Sequence, residues 1–357
     1  MISMKQIATI CDVSVPTVSK ALGNRPSVNP QTRQRILKVA EQFNYRPNAL
    51  IRGIQSGRTM TVAVACNRID DPFGAQVMQG VLGGLHQNQF ECLLFNWDQS
   101  VRDGKRILQI IGERRVDGLI LLPPEQIPSA EYMTELRTFH RPIVIVDQTF
   151  ADQTFNFVGT DDGPGIEAIV QHLTQFGHQQ IGHLYNDTVS TGQIRANALT
   201  RALAQLGLTI PQAWSRPVVG DFDDSYVQAT AILSQNARPT ALVCFNDHVA
   251  MGAHAAAYDL GLSVPRDLSI TGFADLPEAH TMRPALTTVN QNVPQVGQRA
   301  VELLVEKIEQ GEQGSQESQT IRLPVELVVR DSTAPAPGSL LENTSGFLKV
   351  DEPLSTL

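Results

Sequence analysis

Between Gln6 and Leu22 the apolar or small residues fall at Ile7, Ala8, Cys11, Val13, Val18 and Leu22. That spacing predicts two short helices broken at Asp12-Val13-Ser14, not one continuous helix. Ala8 is small where two helices would cross, and Val18 can plug the core from the second. Asp12 falls in the break, where a left-handed backbone is useful and Asp tolerates it better than most residues. Ser14 can cap the second helix, and Pro16 sits in the first turn, where a missing N–H costs nothing. Asn29-Pro30 opens a third helix in the same way, with Ile36, Val39, Ala40 and Phe43 as its expected buried stripe.

From Thr61 the pattern changes. Short apolar runs of buried-strand type appear at Thr61–Cys66, Glu91–Asn96, Gly118–Leu122 and Ile143–Val146. Helical stretches at Ala75–Gln87, Arg102–Arg114 and Ala130–Phe139 separate them. The alternation restarts at Phe155–Gly159 and runs through a strand near Val218 to Leu268–Gly272. Thr287–Asn290 and Ile321–Val329 read as later strands that cross back, with the helix Val293–Ile308 between them. The fold class predicted is α/β: an all-α helix-turn-helix N-terminal domain followed by two doubly wound parallel-sheet lobes with a cleft between them. After Arg330 the chain is rich in Pro, Ser and Thr without a sustained heptad, so residues 333–357 are expected to be a disordered tail.

Charge sharpens the division. Residues 1–58 carry nine Lys/Arg against Asp12 and Glu41, a net of +7, so with −8 overall the remainder sums to −15. A basic head on an acidic body suits a polyanion-binding module joined to a domain that does not itself hold DNA. The 42% hydrophobic and 18% charged composition is that of a globular protein, and no apolar run approaches a membrane span. The N-terminus lacks a basic-then-apolar signal segment, so a cytoplasmic location is expected. Cys11, Cys66, Cys92 and Cys244 are scattered singly without metal-ligand spacing and are expected to be reduced core thiols. Neither a metal nor a cofactor is expected.

VSVPTVSKAL, NRPSVNPQTRQRI, NYRPNAL and SGRT occur in that order, and the run resembles the N-terminus of the LacI/GalR family of transcriptional repressors. The lobes downstream are similar to the periplasmic-binding-protein fold that this family carries, and the resemblance covers about residues 3–332. It implies a DNA-binding domain at 1–46, a hinge at 47–59 and an effector-binding and dimerisation domain at 60–332. The two lobes of that last domain would be 60–158 with 291–320, and 159–290 with 321–332. The second helix would lie in the major groove of a near-palindromic double-stranded DNA operator, each subunit of a homodimer reading one half-site. Val15 and Pro16 would offer apolar contacts to base edges and Lys20 would donate to guanine. Ser14, Thr17, Ser19, Asn24 and Thr32 are short polar groups placed to meet phosphates. The hinge would become helical over the minor groove, with Ile54 as the apolar wedge where Leu is usual.

The same resemblance maps a small-molecule effector site, for a sugar or sugar derivative, onto strand ends. It comprises Asp71 and Phe73, Asp147, Asp161, Thr191 and Arg195, Phe222, Asn246, Asp275 and Gln291. Arg195 would hold a hydroxyl or carboxylate, and Phe222 would stack on a sugar face. Ala274 replaces a common Asp, which puts a typical hexose in question. The absence of a C-terminal leucine-heptad helix argues for a dimer. An enzyme reading finds little support: Gly80-Val81-Leu82-Gly83-Gly84 is not GxGxxG and sits within a helix pattern, and neither GxxxxGK[ST] nor GxSxG occurs. The expected function is a sequence-specific repressor under effector control. The alternative is a cytoplasmic sugar-binding or sugar-modifying protein of the same α/β fold.

Overall fold

The computed structural model describes residues 2–23, 27–45, 58–66, 71–96, 101–113, 115–123, 130–149, 154–311 and 317–339. Asn24, Ile54, most of the hinge and residues 340–357 lie outside them. The chain divides into two compact units, Met1–Met60 and Thr61–Leu357.

The first unit holds helices α1 (Met4–Ile10), α2 (Val15–Leu22) and α3 (Pro30–Gln42). Ser3 and Gln6 form a reciprocal capping box at the start of α1. Asp12 takes φ +47° in the turn, as its side chain permits. Ile7, Ala8, Cys11, Val18, Ala21, Ile36 and Ala40 close a small core. Phe43 departs from the expected stripe: it caps α3 and is 47% exposed. The chain turns at Asn44 (φ +48°), so Tyr45 packs on the core in its place.

The second unit is built on two parallel sheets. Strands β1 (Thr61–Cys66), β2 (Glu91–Asn96), β3 (Gly118–Leu121), β4 (Ile143–Val146) and β5 (Asn156–Thr160) join β11 (Thr320–Leu323) in the order β11-β5-β4-β3-β1-β2. Alternate residues face opposite layers, which is why the central strands β1, β3 and β4 are apolar, whereas the edge strands β2 and β11 carry polar and exposed residues. Val62 and Val64 meet helices α4 (Pro72–Gln87) and α12 (Val293–Gln310). Ala63 and Ala65 meet α5 (Val101–Gly112) and α6 (Ala130–Arg137). Gly80 explains the glycine cluster: a Cβ there would lie 1.8 Å from the Pro294 carbonyl oxygen, so only glycine lets α4 and α12 approach so closely.

The second sheet has the order β7-β6-β8-β9, formed by β6 (Ile181–Tyr185), β7 (Ser215–Pro217), β8 (Ala241–Cys244) and β9 (Ser269–Thr271). Helices α7 (Asp162–Gln175), α8 (Ser190–Gln205), α9 (Phe222–Leu233), α10 (Asp247–Asp259) and the short α11 (Pro277–Thr281) accompany it. Strands β10 (Thr288–Asn290) and β12 (Glu326–Val328) pair antiparallel.

Two boundaries differ from expectation. The run 321–329 is not one strand: Pro324, which has no N–H for a ladder, separates β11 from β12. Its first half pairs with β5, so residues 320–323 belong to the first sheet, not the second lobe. The proposed cut at 158/159 would likewise split β5, whose pairing with β4 and β11 keeps it in the first sheet. Residues 333–339, expected to be disordered, are docked on the second lobe. Ala334 N donates to Ser269 Oγ (3.1 Å) and Ala336 N to the Phe176 carbonyl (2.7 Å). The His172 ring bonds Thr333 Oγ1 at 2.9 Å. A segment poor in apolar residues is held by polar partners its composition does not reveal.

Candidate functional site

In the head, Ser14 fixes the start of α2: its Oγ accepts from Thr17 N (3.3 Å) and lies 2.8 Å from Thr17 Oγ1. These two hydroxyls thus bond each other as well as being placed on the helix's leading edge. Ser14, Val15, Pro16 and Lys20 are exposed, while Thr17, Ser19 and Thr32 are half-buried. Val18 and Ala21 face inward on the same helix. The outward face therefore presents two apolar groups and one ammonium, as a major-groove reading face would. Arg35 Nη2 donates to the Cys11 carbonyl at 2.7 Å, tying α3 to the turn. Lys20→Ala is expected to weaken binding to duplex DNA by about 1–3 kcal/mol, read from titration of the full chain.

In the second unit, a cavity of about 830 Å³ opens at the carboxyl ends of both sheets. It is lined by Asp71, Phe73, Asp147, Thr191, Arg195, Phe222, Asn246 and Gln291. Eight of the residues mapped from the sequence are thus brought together. Asp71 caps α4, its Oδ2 accepting from Gly74 N at 2.8 Å. Asn246 caps α10 through Val249 N at 2.8 Å. Phe222 opens α9 and is 44% exposed, with its ring free to meet a ligand face.

Arg195 is the centre of the polar wall. Its Nε donates to Asp162 Oδ2 at 2.7 Å and its Nη1 to the Phe245 carbonyl at 2.8 Å. The guanidinium lies 3.8 Å from the centroid of the Phe273 ring. Asp162 Oδ1 accepts in turn from Thr160 Oγ1 (2.6 Å), and Gln291 Nε2 donates to Thr160 Oγ1 at 2.7 Å. This buried network fixes the guanidinium in one orientation.

Two mapped residues are corrected. Asp161 is exposed and does not line the cavity; the next residue, Asp162, is the buried carboxylate on Arg195. Helix α7 begins at this point, and its rotation turns Asp162 inward. Asp275 also does not line the cavity. Its φ of +56° directs it to Arg330, with which it forms an ion pair, while Ala274 takes the place at the wall.

Gln148, which the sequence reading missed, ties the lobes together across the cavity. Its Nε2 donates to Asp147 Oδ2 (3.1 Å) and to Thr191 Oγ1 (3.0 Å), and its Oε1 accepts from Ser190 Oγ (2.9 Å). Thr149 N donates to Ser190 Oγ at 2.8 Å. Asn186 and His248 also line the wall unforeseen. Both directly follow or neighbour strand ends, the signal that could have found them. Asp147 is held at φ +69°. Burial pushes its carboxyl up to about 7; the Arg195 guanidinium works against that rise and the Asp162 carboxylate adds to it. Among the described residues, no cluster of His, Cys, Asp and Glu fits a metal ion. No described helix is long and apolar enough to cross a membrane.

Comparison with known proteins agrees with both halves. The profile of bacterial regulatory proteins of the lacI family matches residues 3–48, and that of the periplasmic binding protein-like domain matches residues 170–333. The HTH-type transcriptional repressor PurR of Proteus mirabilis is 30% identical over 343 residues, covering 94% of this chain and 98% of the relative. The lac repressor dimer bound to operator and the anti-inducer ONPF superposes with a TM-score of 0.82 at 23% identity, over 93% of this chain and 99% of that one. A LacI family regulator from Enterococcus faecium with bound ribose gives a TM-score of 0.67 at 27% identity, over 77% and 99%. An exposed reading helix, a ligand-sized cavity between two parallel sheets and an end-to-end match to a repressor converge, and the chain belongs to the lacI family of bacterial transcriptional regulators.

Proposed function

We propose that this DNA-binding regulator is a repressor that binds a near-palindromic operator as a homodimer, under the control of a sugar-type effector in the cavity. The observation that carries the effector reading is that Thr191, Gln291 and an Arg195 held by Asp162 line the same cavity as the exposed Phe222 ring. Oriented donors and acceptors plus one aromatic platform are what a polyhydroxylated ring needs. Ribose in the Enterococcus faecium regulator supports that class. Repression is supported by the name of the Proteus mirabilis relative.

The coupling is a population shift. A ligand that binds one closure of the lobes more tightly biases that closure, and through the 47–59 segment biases whether paired heads can engage DNA. The Gln148–Ser190–Thr191 bonds join the lobes and are the contacts such a ligand would stabilise or replace. The chain is read as binding its effector without transforming it. A thermal-shift screen of the full chain against sugars tests this, since a ligand at 100 times its dissociation constant stabilises by about 2.7 kcal/mol. A sugar that raises the melting temperature and alters operator affinity is the expected result. Conversion of that sugar to a product would overturn the reading.

A further inference from the structure

We infer that the effector carries an amine: the cavity is built for a sugar bearing an ammonium group, with Asp147 as its carboxylate, and against phosphorylated or acidic sugars. The inference rests on the sugar-type reading above and goes on to the ligand's charge.

Three carboxylates, Asp71, Asp147 and Asp221, line the cavity. Among the described residues its one guanidinium, Arg195, is already neutralised by the buried Asp162. Three of the helix N-termini that would ordinarily attract an anion, those of α4, α9 and α10, are capped from within the protein. Asp71 caps α4 and Asp221 caps α9, its Oδ1 accepting from Asp224 N at 2.9 Å. Asn246 caps α10, and Gln148 Oε1 faces Thr191 N at the start of α8 at 3.5 Å. A phosphate entering here would meet filled donor sites and like charge.

The unfilled capacity is on the acceptor side. Gln291 lines the cavity; its Oε1 is buried and, among the described residues, without a hydrogen-bond partner, while its Nε2 is held on Thr160 and Asp162. Asp147 has one oxygen on Gln148 and the other without a protein partner. A ligand that supplies donors satisfies both, and an ammonium supplies three together with the opposite charge. The groups facing Asp147 are Arg195, Asp162 and Asp71, with Gln148 as its neutral partner. Burial holds its carboxyl up to about 7. A bound ammonium favours the ionised form, so binding below pH 7 releases a proton, and affinity rises as the pH approaches 7 from below.

Calorimetry on the full chain with glucosamine, glucose and glucose 6-phosphate at pH 6 and pH 7 tests the proposal. Glucosamine is expected to bind about tenfold tighter than glucose, more so at pH 7, where Asp147 ionises while the amine keeps its proton, and glucose 6-phosphate to bind weakest. Asp147→Asn is expected to bring the glucosamine-to-glucose ratio to about one. The pH dependence of the unaltered chain gives the same information should that variant fold poorly. Equal binding of amine and parent sugar, or preference for the phosphate, overturns the amine assignment and leaves the sugar reading standing. Binding of none of the three, and none of ribose in the same calorimeter, overturns the sugar reading together with it.

Discussion

Replacing Arg195 with alanine is expected to abolish the effector response and to destabilise the second unit by about 3–5 kcal/mol. The guanidinium is buried with its carboxylate partner, the two side chains being 6% and 2% exposed. Removing it leaves Asp162 charged and without its cation, with Thr160 and Gln291 arranged around an uncompensated group. It also takes the cationic face away from the Phe273 and Phe245 rings. Urea unfolding of the full chain reads the stability change and calorimetry reads the binding. Replacing Arg195 and Asp162 together by Met and Leu should recover part of the stability, because an apolar pair of similar volume carries no buried charge. It should recover none of the binding. A loss under 1 kcal/mol in the single variant would mean that the ion pair does not organise the site.

Gly192→Ala should be the other large effect. A Cβ at this position would stand 1.7 Å from the Asn186 carbonyl oxygen, so the backbone itself must yield. The residue sits between Thr191 and Arg195 on the first turns of α8, and the displaced carbonyl belongs to a residue of the cavity wall. A stability cost of about 1–3 kcal/mol is expected, with a drop in effector affinity of tenfold or more. Gly83→Ala is the contrast. Nothing lies within 4 Å of its Cβ, and in a helix interior alanine is favoured by up to about 1 kcal/mol. Thermal melts of the two variants side by side should move in opposite directions. A rise in both would show that α8 tolerates the added methyl.

The sequence carried most of the fold because each device was local. Ser14 and Asn29 cap the helices they precede, and Asp12 adopts the left-handed turn. The strands Thr61–Cys66, Gly118–Leu121 and Ile143–Val146 proved to be covered on both faces, whereas Glu91–Asn96, expected to be buried, is an edge strand with Leu94 43% exposed. What escaped was decided by partners far along the chain. Asp161 and Asp162 are indistinguishable by composition, and only the rotation at the start of α7, with Arg195 thirty-three positions away, selects the second. Asp275 was drawn off by Arg330, fifty-five positions on. Gln148 has no motif at all; its role follows from two lobes meeting there. Residues 333–339 are ordered by Ser269, Phe176 and His172, which no local pattern connects to them.

Selection of duplexes from a random pool by the full chain, repeated with Lys20→Ala, tests the central claim most directly. The account predicts a near-palindromic site with two half-sites related by the dimer's two-fold axis, and in the variant a loss of preference at one base pair in each half. A pool that shows no enrichment at any ionic strength, or a site unchanged by the loss of Lys20, would contradict it.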